Sequence, residues 1–501
     1  MNTATQATQD VGTTAGALRG RIENGIAVFR GIPYAAPPVG ALRFEAPRPP
    51  APWQGVRDAT ADGPIAPQGR SRLAHVMGEF QRPQSEDCLT LNVWTPGIGK
   101  GARPVIVWLH GGAYSSGAGS LPWYAGDRMA ANGDVVVVSV NYRLGALGFL
   151  YLPGVSPGNL GLLDQVQALR WVRENIGNFG GDPDNVTLVG QSVGGNTIAA
   201  MLTMPTAKGL FQRAILQSPG MSRPTRPVAE AAAQGATYMD LLGLARDDIA
   251  GLKQVPVDRL LKAQGELAKS LQSFATMMLP FTLVQDGNAI PEDITGCLRA
   301  GRGAPVDIML GTLREERAAF FSTDPAIAAA DIQAVKKVFE KLCGPDYEAY
   351  YDEFRRLRAK PTAASMLGDL LTDYVFRIGT LQTAEMLADH GRPAYVYQFD
   401  WQSPAGFQAC HCLEIPFVFH NIENWPDAPM LKGVDPAEFD GLAHAMQQAW
   451  IAFARTGNPN HDGLPRWAPY DRRHRTTMRF DTVLGPVNDL AGLSSRLPWP
   501  A

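Results

Sequence analysis

The chain has 501 residues, and 45 Lys and Arg stand against 48 Asp and Glu, for a formal net charge of −3. That near-balance excludes the basic footprint of a nucleic-acid binder or a membrane-surface protein. Hydrophobic residues at 45% against 19% charged exclude a disordered chain and leave ample material for a core.

In chain order, the first twenty residues, MNTATQATQDVGTTAGALRG, show neither a basic start nor an apolar run, so no secretory signal is read there. Residues 27–53, rich in Pro and aromatics, read as an irregular, well-packed arm. Residues 104–109 (PVIVWL) and 135–140 (VVVVSV) are apolar at nearly every position, the pattern of strands buried on both faces. The longest apolar run, around 135–138, is far short of the roughly 18 residues of a membrane span. Residues 161–176 carry apolar side chains at helical spacing, 186–189 read as the next buried strand, and a helix follows from about Gly194. Further strands are expected at 214–217, 306–310 and 395–399. Strands alternating with helices predict a mostly parallel sheet covered on both faces. The expectation is one α/β domain over 1–501, with insertions near 70–84, 221–278 and 327–367.

Five cysteines, odd in number and mostly far apart, argue against a disulfide scaffold and favour the cytoplasm. Cys410, His411 and Cys412 are adjacent, so their side chains diverge, and no second Cys/His cluster completes a zinc set; no metal site is expected.

Two glycine motifs carry chemistry. Residues 190–194 (GQSVG) fit G-x-S-x-G, with a serine on a tight strand-to-helix turn. A second match, 154–158 (GVSPG), fails physically: Pro157 has no N–H to stabilise an oxyanion, and no buried strand leads into it. Ser192 is therefore the nucleophile candidate, with Val193 supplying an N–H. Residues 110–114 (HGGAY) directly follow the strand 104–109. Small residues there let backbone N–H groups converge on an oxyanion, and His110 suits fixing the loop's shape better than carrying a proton. After the strand 306–310 come Glu315 and Glu316, acid candidates that spacing cannot separate. Among the later histidines, only His411 sits in the Gly/Pro-bearing loop after the strand 395–399, which makes it the preferred base.

Together with FRGIPYAAPPVGALRF, SEDCLTLNVWTP, NYRLGALGFL, GLLDQVQALRWVRENIGNFGGDPDNVTLVGQSVGG, GLFQRAILQSPG, HCLEIPF and AWIAFARTGNPN, these motifs resemble the type-B carboxylesterases over nearly the whole chain. That family is the cholinesterase-like, para-nitrobenzyl-esterase-like branch of the α/β-hydrolases. The resemblance implies an α/β-hydrolase fold, with a large twisted sheet, helices on both faces and insertions forming an active-site gorge. It makes Ser192 the nucleophile, His411 the base and Glu316 the acid, and makes the N–H groups of Gly112, Ala113 and Val193 the oxyanion hole. Four positions depart from the family pattern. Gln191 replaces a Glu, removing a negative charge that would attract cationic substrates and alter the surroundings of His411. Ala113 replaces a glycine, Arg317 replaces the glycine after the acid and puts the local turn geometry in question, and Ala66 stands where Cys88 would find a disulfide partner.

The expected activity is hydrolysis of small to medium apolar or aromatic esters through an acyl-enzyme, with no cofactor and no nucleic-acid or membrane partner; monomer or dimer is left open. The same triad could serve aryl carbamates or amides, and similar bacterial family members cleave aryl carbamates. A catalytically dead, adhesion-type binding domain would lack the reacting groups retained here. Tyr114, Phe274, Met277, Met278, Phe320 and Phe321 are expected to wall the substrate pocket.

Overall fold

The structure, a computed structural model, describes residues 7–492 apart from Arg223, Thr276 and Met277. Its main sheet has 13 strands. Val136–Val140, Gly99–Leu109, Phe179–Gln191, Arg213–Gln217, Asp307–Leu313, Tyr395–Phe399 and Thr476–Phe480 lie side by side in that order, all parallel. Antiparallel strands extend both edges, through Thr90–Thr95 on one side and Gly485–Asn488 on the other.

The parallel strands divide their side chains between two cores, as a period of two requires. Val105, Val107 and Leu109 enter one cluster, Ile106 and Trp108 the other. The same split separates Leu216 from Ile215, and Leu310 from Met309. This explains the unbroken apolar runs: each face carries a helical layer, including Leu160–Asn175 on one side and Pro436–Thr456 on the other.

The chain runs from Gly99–Leu109 outward to Val136–Val140, then returns past its starting strand to Phe179–Gln191. The direction of winding reverses between strands 99–109 and 179–191, and a crevice opens at their carboxyl ends. Such switch points are where α/β sheets bind ligands.

The stretch 27–53 is not irregular throughout. Ile26–Pro33 is a strand between Ala17–Glu23 and Thr90–Thr95, and only the proline-rich remainder is irregular. Val28 and Phe29 enter opposite cores, so the strand is stabilised by burial despite the prolines that follow.

Around the crevice, residues 221–278 supply the helices Val228–Leu242, Ile249–Gln254 and Val257–Ser270. Residues 327–367 supply Ile332–Cys343 and Tyr347–Arg356, which close a third apolar cluster with Ala363–Thr372. Among the described residues no helix is long and apolar enough to cross a membrane.

Candidate active site

Ser192 follows directly on the strand Phe179–Gln191 and caps the helix Val193–Met201, with φ +56° and ψ −122°. A non-glycine residue held there stores backbone strain, of order 1–3 kcal/mol, which the surroundings must fix. They do so by contact. Ser192 N–H donates to Gln217 O at 2.8 Å, and its carbonyl accepts from Asn196 N–H at 3.1 Å. A Cβ on Gly194 would lie 2.2 Å from Leu109 O, and one on Gly190 2.5 Å from the Gly194 carbonyl carbon. The two glycines thus let the helix start against the neighbouring strand. Val193 opens that helix, so its N–H has no intrahelical acceptor. The rejected motif lies elsewhere: Ser156 is buried in a two-stranded hairpin and donates to Leu150 O at 2.7 Å.

Geometry separates the two glutamates. Glu316 Oε2 lies 2.5 Å from His411 Nδ1, and its Oε1 accepts from Leu313 N–H at 2.8 Å. Glu315 engages Arg314, Arg358, Gln402 and the Ala409 N–H, and so anchors the loop that carries the histidine. Both members of the Glu316–His411 pair are fully buried in protein, with 0% and 2% side-chain exposure. With Nδ1–H committed to Glu316, Nε2 is the acceptor of the ring, and Gln191 Nε2 lies 3.2 Å from it. Phe320 and Phe376 pack beside the imidazole at 5.3 and 5.0 Å.

The loop after Gly99–Leu109 lies against the elbow: a Cβ on Gly111 would meet the Gln191 side chain at 2.4 Å and Ser192 Cβ at 3.1 Å. His110 stacks on Tyr142 at 4.3 Å and bonds Gly111 O through Nδ1 at 2.7 Å. Burial pulls its pKa down to about 4, so it holds the loop as a neutral ring. Gly112 and Ala113 both have positive φ, +113° and +56°. Arg317 resolves otherwise than its departure from a glycine suggested: its φ is −77°, a conformation open to any residue, and the turn is unstrained.

Ser192, His411, Gly112, Ala113 and Val193 all line one cavity of about 620 Å³. Tyr114, Phe274, Met278 and Phe320 line it too, as expected. Phe321 does not. It lies one residue further round the turn, packs against the third apolar cluster, and carries the Arg317 guanidinium 4.8 Å above its ring. Met277 lies outside the described residues. Sequence reasoning missed Phe80, Trp123, Tyr124 and Phe376, and the cations Arg72 and Lys341, all of which line the cavity. Trp123 stacks on Trp425 at 4.6 Å and meets Phe80 edge-on, an aromatic cluster whose members are far apart in sequence.

Residues 7–489 match the model of the carboxylesterase family. The chain is 41% identical to the phenmedipham hydrolase of Pseudarthrobacter oxydans, covering 91% of this chain and 92% of that protein. It is 40% identical to the para-nitrobenzyl esterase of Bacillus subtilis (strain 168), covering 96% of each. The crystal structure of the Geobacillus stearothermophilus carboxylesterase EST55 superimposes with a TM-score of 0.87 at 36% identity, over 97% of this chain and 99% of that one. Fold and sequence agree over almost the whole described chain: it has the α/β-hydrolase fold and belongs to the carboxylesterase family, hydrolases that act on ester bonds.

Proposed function

We propose that Ser192, His411 and Glu316 carry the hydrolysis. Ser192 Oγ attacks the ester carbonyl while His411 Nε2 takes its proton, and Glu316 holds the ring tautomer and stabilises the imidazolium. The tetrahedral oxyanion is received by the N–H groups of Gly112, Ala113 and Val193, each donor contributing about 3 kcal/mol in the transition state. His411 then returns the proton to the leaving alcohol, and water, activated by the same base, cleaves the acyl-enzyme. No cofactor or metal takes part. The observation that carries this reading is the buried Glu316–His411 contact opening on the same cavity as a serine held at positive φ. The cavity's size and aromatic lining fit small to medium apolar or aromatic esters. An organophosphate should label one residue per chain, Ser192, and abolish turnover of a p-nitrophenyl ester; labelling elsewhere, or none, overturns the assignment.

A second reading, hydrolysis of aryl carbamates or amides by the same groups, is favoured by the 41% identity to a phenmedipham hydrolase. Turnover of matched p-nitrophenyl esters and aryl carbamates separates the two. We place the enzyme in the cytoplasm, free of nucleic-acid and membrane partners: all five cysteines are buried and free, as in a reducing compartment. Cys88 and Ala66 line the same small pocket, where the family pattern would set a disulfide.

A further inference from the structure

The helix that backs the cavity beside Ser192 changes its winding part-way. Ala363–Thr372 and Ile378–Asp389 are α-helical, and Asp373–Arg377 between them is a π-turn, closed by Ile378 N–H on Asp373 O, five residues back. A π-turn holds one residue more than an α-turn, is rare, and recurs at functional sites. This one carries Tyr374, Val375 and Phe376, three consecutive residues that all line the cavity. Phe376 packs 5.0 Å from the His411 ring. Arg377, next in the chain, donates to Leu313 O at 3.2 Å and Arg314 O at 2.9 Å, at the end of the strand that leads to Glu316. The five residues DYVFR contain neither Pro nor Gly, so the support for this winding is tertiary.

Ser222, buried in the loop after the strand Arg213–Gln217, supplies that support. Its one hydroxyl proton is shared between Tyr374 O and Val375 O, the second at 2.9 Å. In α-winding, Tyr374 O would take the N–H four residues on, that of Ile378. Ile378 N–H is committed to Asp373 O instead, and the Ser222 hydroxyl stands in for it. The loop is itself tied to the helix that starts after Ser192. Gly220 N–H donates to Asn196 Oδ1 at 2.7 Å, and Asn196 N–H donates to Ser192 O at 3.1 Å. Loop and π-turned helix also pack closely: a Cβ on Gly379 would lie 2.7 Å from Met221 Cβ and 2.9 Å from Ser222 N. A chain of contacts therefore runs from Ser192, through Asn196, Gly220 and Ser222, to the ring beside His411.

We propose that Ser222 is a positioning residue that acts through Phe376: it supplies the hydrogen bond that π-winding withholds, keeps this wall against the imidazole, and so sets the largest ester group the cavity admits there. Without the hydroxyl the turn relaxes toward α-winding. Dropping one residue from a turn rotates the side chains beyond it by about 100°. That rotation carries Phe376 off His411 and opens the wall to bulkier groups. The inference rests on the reading of Ser192 and His411 as the reacting pair and adds what limits the size of their substrate.

The test compares kcat/KM for two pairs of esters. p-Nitrophenyl benzoate against p-nitrophenyl acetate varies the acyl side, and benzyl acetate against ethyl acetate varies the alcohol side. In Ser222→Ala at least one bulky-to-small ratio should rise several-fold, and Ser222→Thr, which keeps the hydroxyl, should return it. Phe376→Ala should raise the same ratio, and adding Ser222→Ala to it should raise it no further, because both act through one ring. Gly379→Ala puts a Cβ between helix and loop; it should move the ratio the same way, and it reports if Ser222→Ala does not fold. A hydroxyl that only stabilises the fold would lower all four rates alike. Ratios unmoved in Ser222→Ala, or in Gly379→Ala where the first does not fold, overturn the proposal, as do no return in Ser222→Thr or effects that multiply in the double variant. If the ratios stay unmoved while esters are turned over and Ser192 is labelled, the earlier reading stands without it; a wild-type protein that hydrolyses none of the four esters sinks the earlier reading instead.

Discussion

Ala113 sits at φ +56° in the loop that faces Ser192, where an L-residue costs about 1–2 kcal/mol relative to glycine. Ala113→Gly should therefore raise stability by about 1 kcal/mol, less the extra chain entropy of glycine, read as a higher urea midpoint at unchanged slope. Glu414, three residues after His411, gives a pH-dependent counterpart. Its Oε1 accepts from Gln217 Nε2 at 3.0 Å, and burial, then the Glu316 charge, push its pKa up to about 8 from an ordinary 4.5. The folded state therefore holds a proton that the unfolded chain gives up. Stability from this group is complete below about pH 4.5 and is lost as pH rises through 8. Glu414→Gln keeps the acceptor and removes the titration, so unfolding midpoints at pH 6 and pH 8 should differ less in the variant, by up to about 1.4 kcal/mol per pH unit. An equal pH slope in both proteins would show that Glu414 is not held protonated. The elements that carry Ser192, the loop 110–114 and His411 were legible because each motif follows a buried strand. Spacing could not choose between Glu315 and Glu316, which are both buried; the family resemblance pointed to Glu316, and it is Glu316 that contacts the imidazole.

The elements behind the loop 110–114 are joined by a buried ion pair. Arg143 bonds Asp164 on the helix Leu160–Asn175 through Nε at 2.8 Å and Nη2 at 2.7 Å, and its own N–H adds a third bond at 3.1 Å. Two residues on, Gly145 N–H donates to Tyr114 O at 2.7 Å, and Tyr142 Oη donates to His110 O at 2.6 Å. One helix thereby fixes the backbone of the loop 110–114 that faces Ser192. Asp164→Ala leaves a buried guanidinium unpaired and should cost about 3–5 kcal/mol, seen in denaturant unfolding; a loss below about 1 kcal/mol, the surface-pair scale, would contradict this role. The parallel strands could be read because both faces are covered and every position is apolar. The amino-terminal strands could not. Ala17–Glu23 alternates Leu18, Gly20 and Ile22 with three charged residues, and Thr90–Thr95 hides Thr and Asn in wholly buried positions. Tertiary hydrogen bonds, such as Asn92 Oδ1 accepting from Gly31 N–H at 2.9 Å, satisfy what the local pattern presents as polar.

Across the whole molecule, the site gathers residues that the chain keeps far apart. Ser192 follows one strand beside the winding reversal, the loop 110–114 follows its neighbour, and Glu316 and His411 follow the fifth and sixth strands of the same parallel set. Motifs flanking buried strands reveal such an arrangement, because strand order converts sequence distance into adjacency. The cavity walls lack that help: the 70–84 segment reaches the turn after Glu316 through His75 Nε2 on Ala319 O, and no local pattern announces it. The central claim is that Ser192 and His411 act as one unit. Its most direct test is kcat for Ser192→Ala, His411→Ala and the double variant. Each single change should lower kcat by on the order of 10⁴–10⁶, and the pair together no further. Retained turnover in either single variant, or losses that multiply in the double, would contradict it.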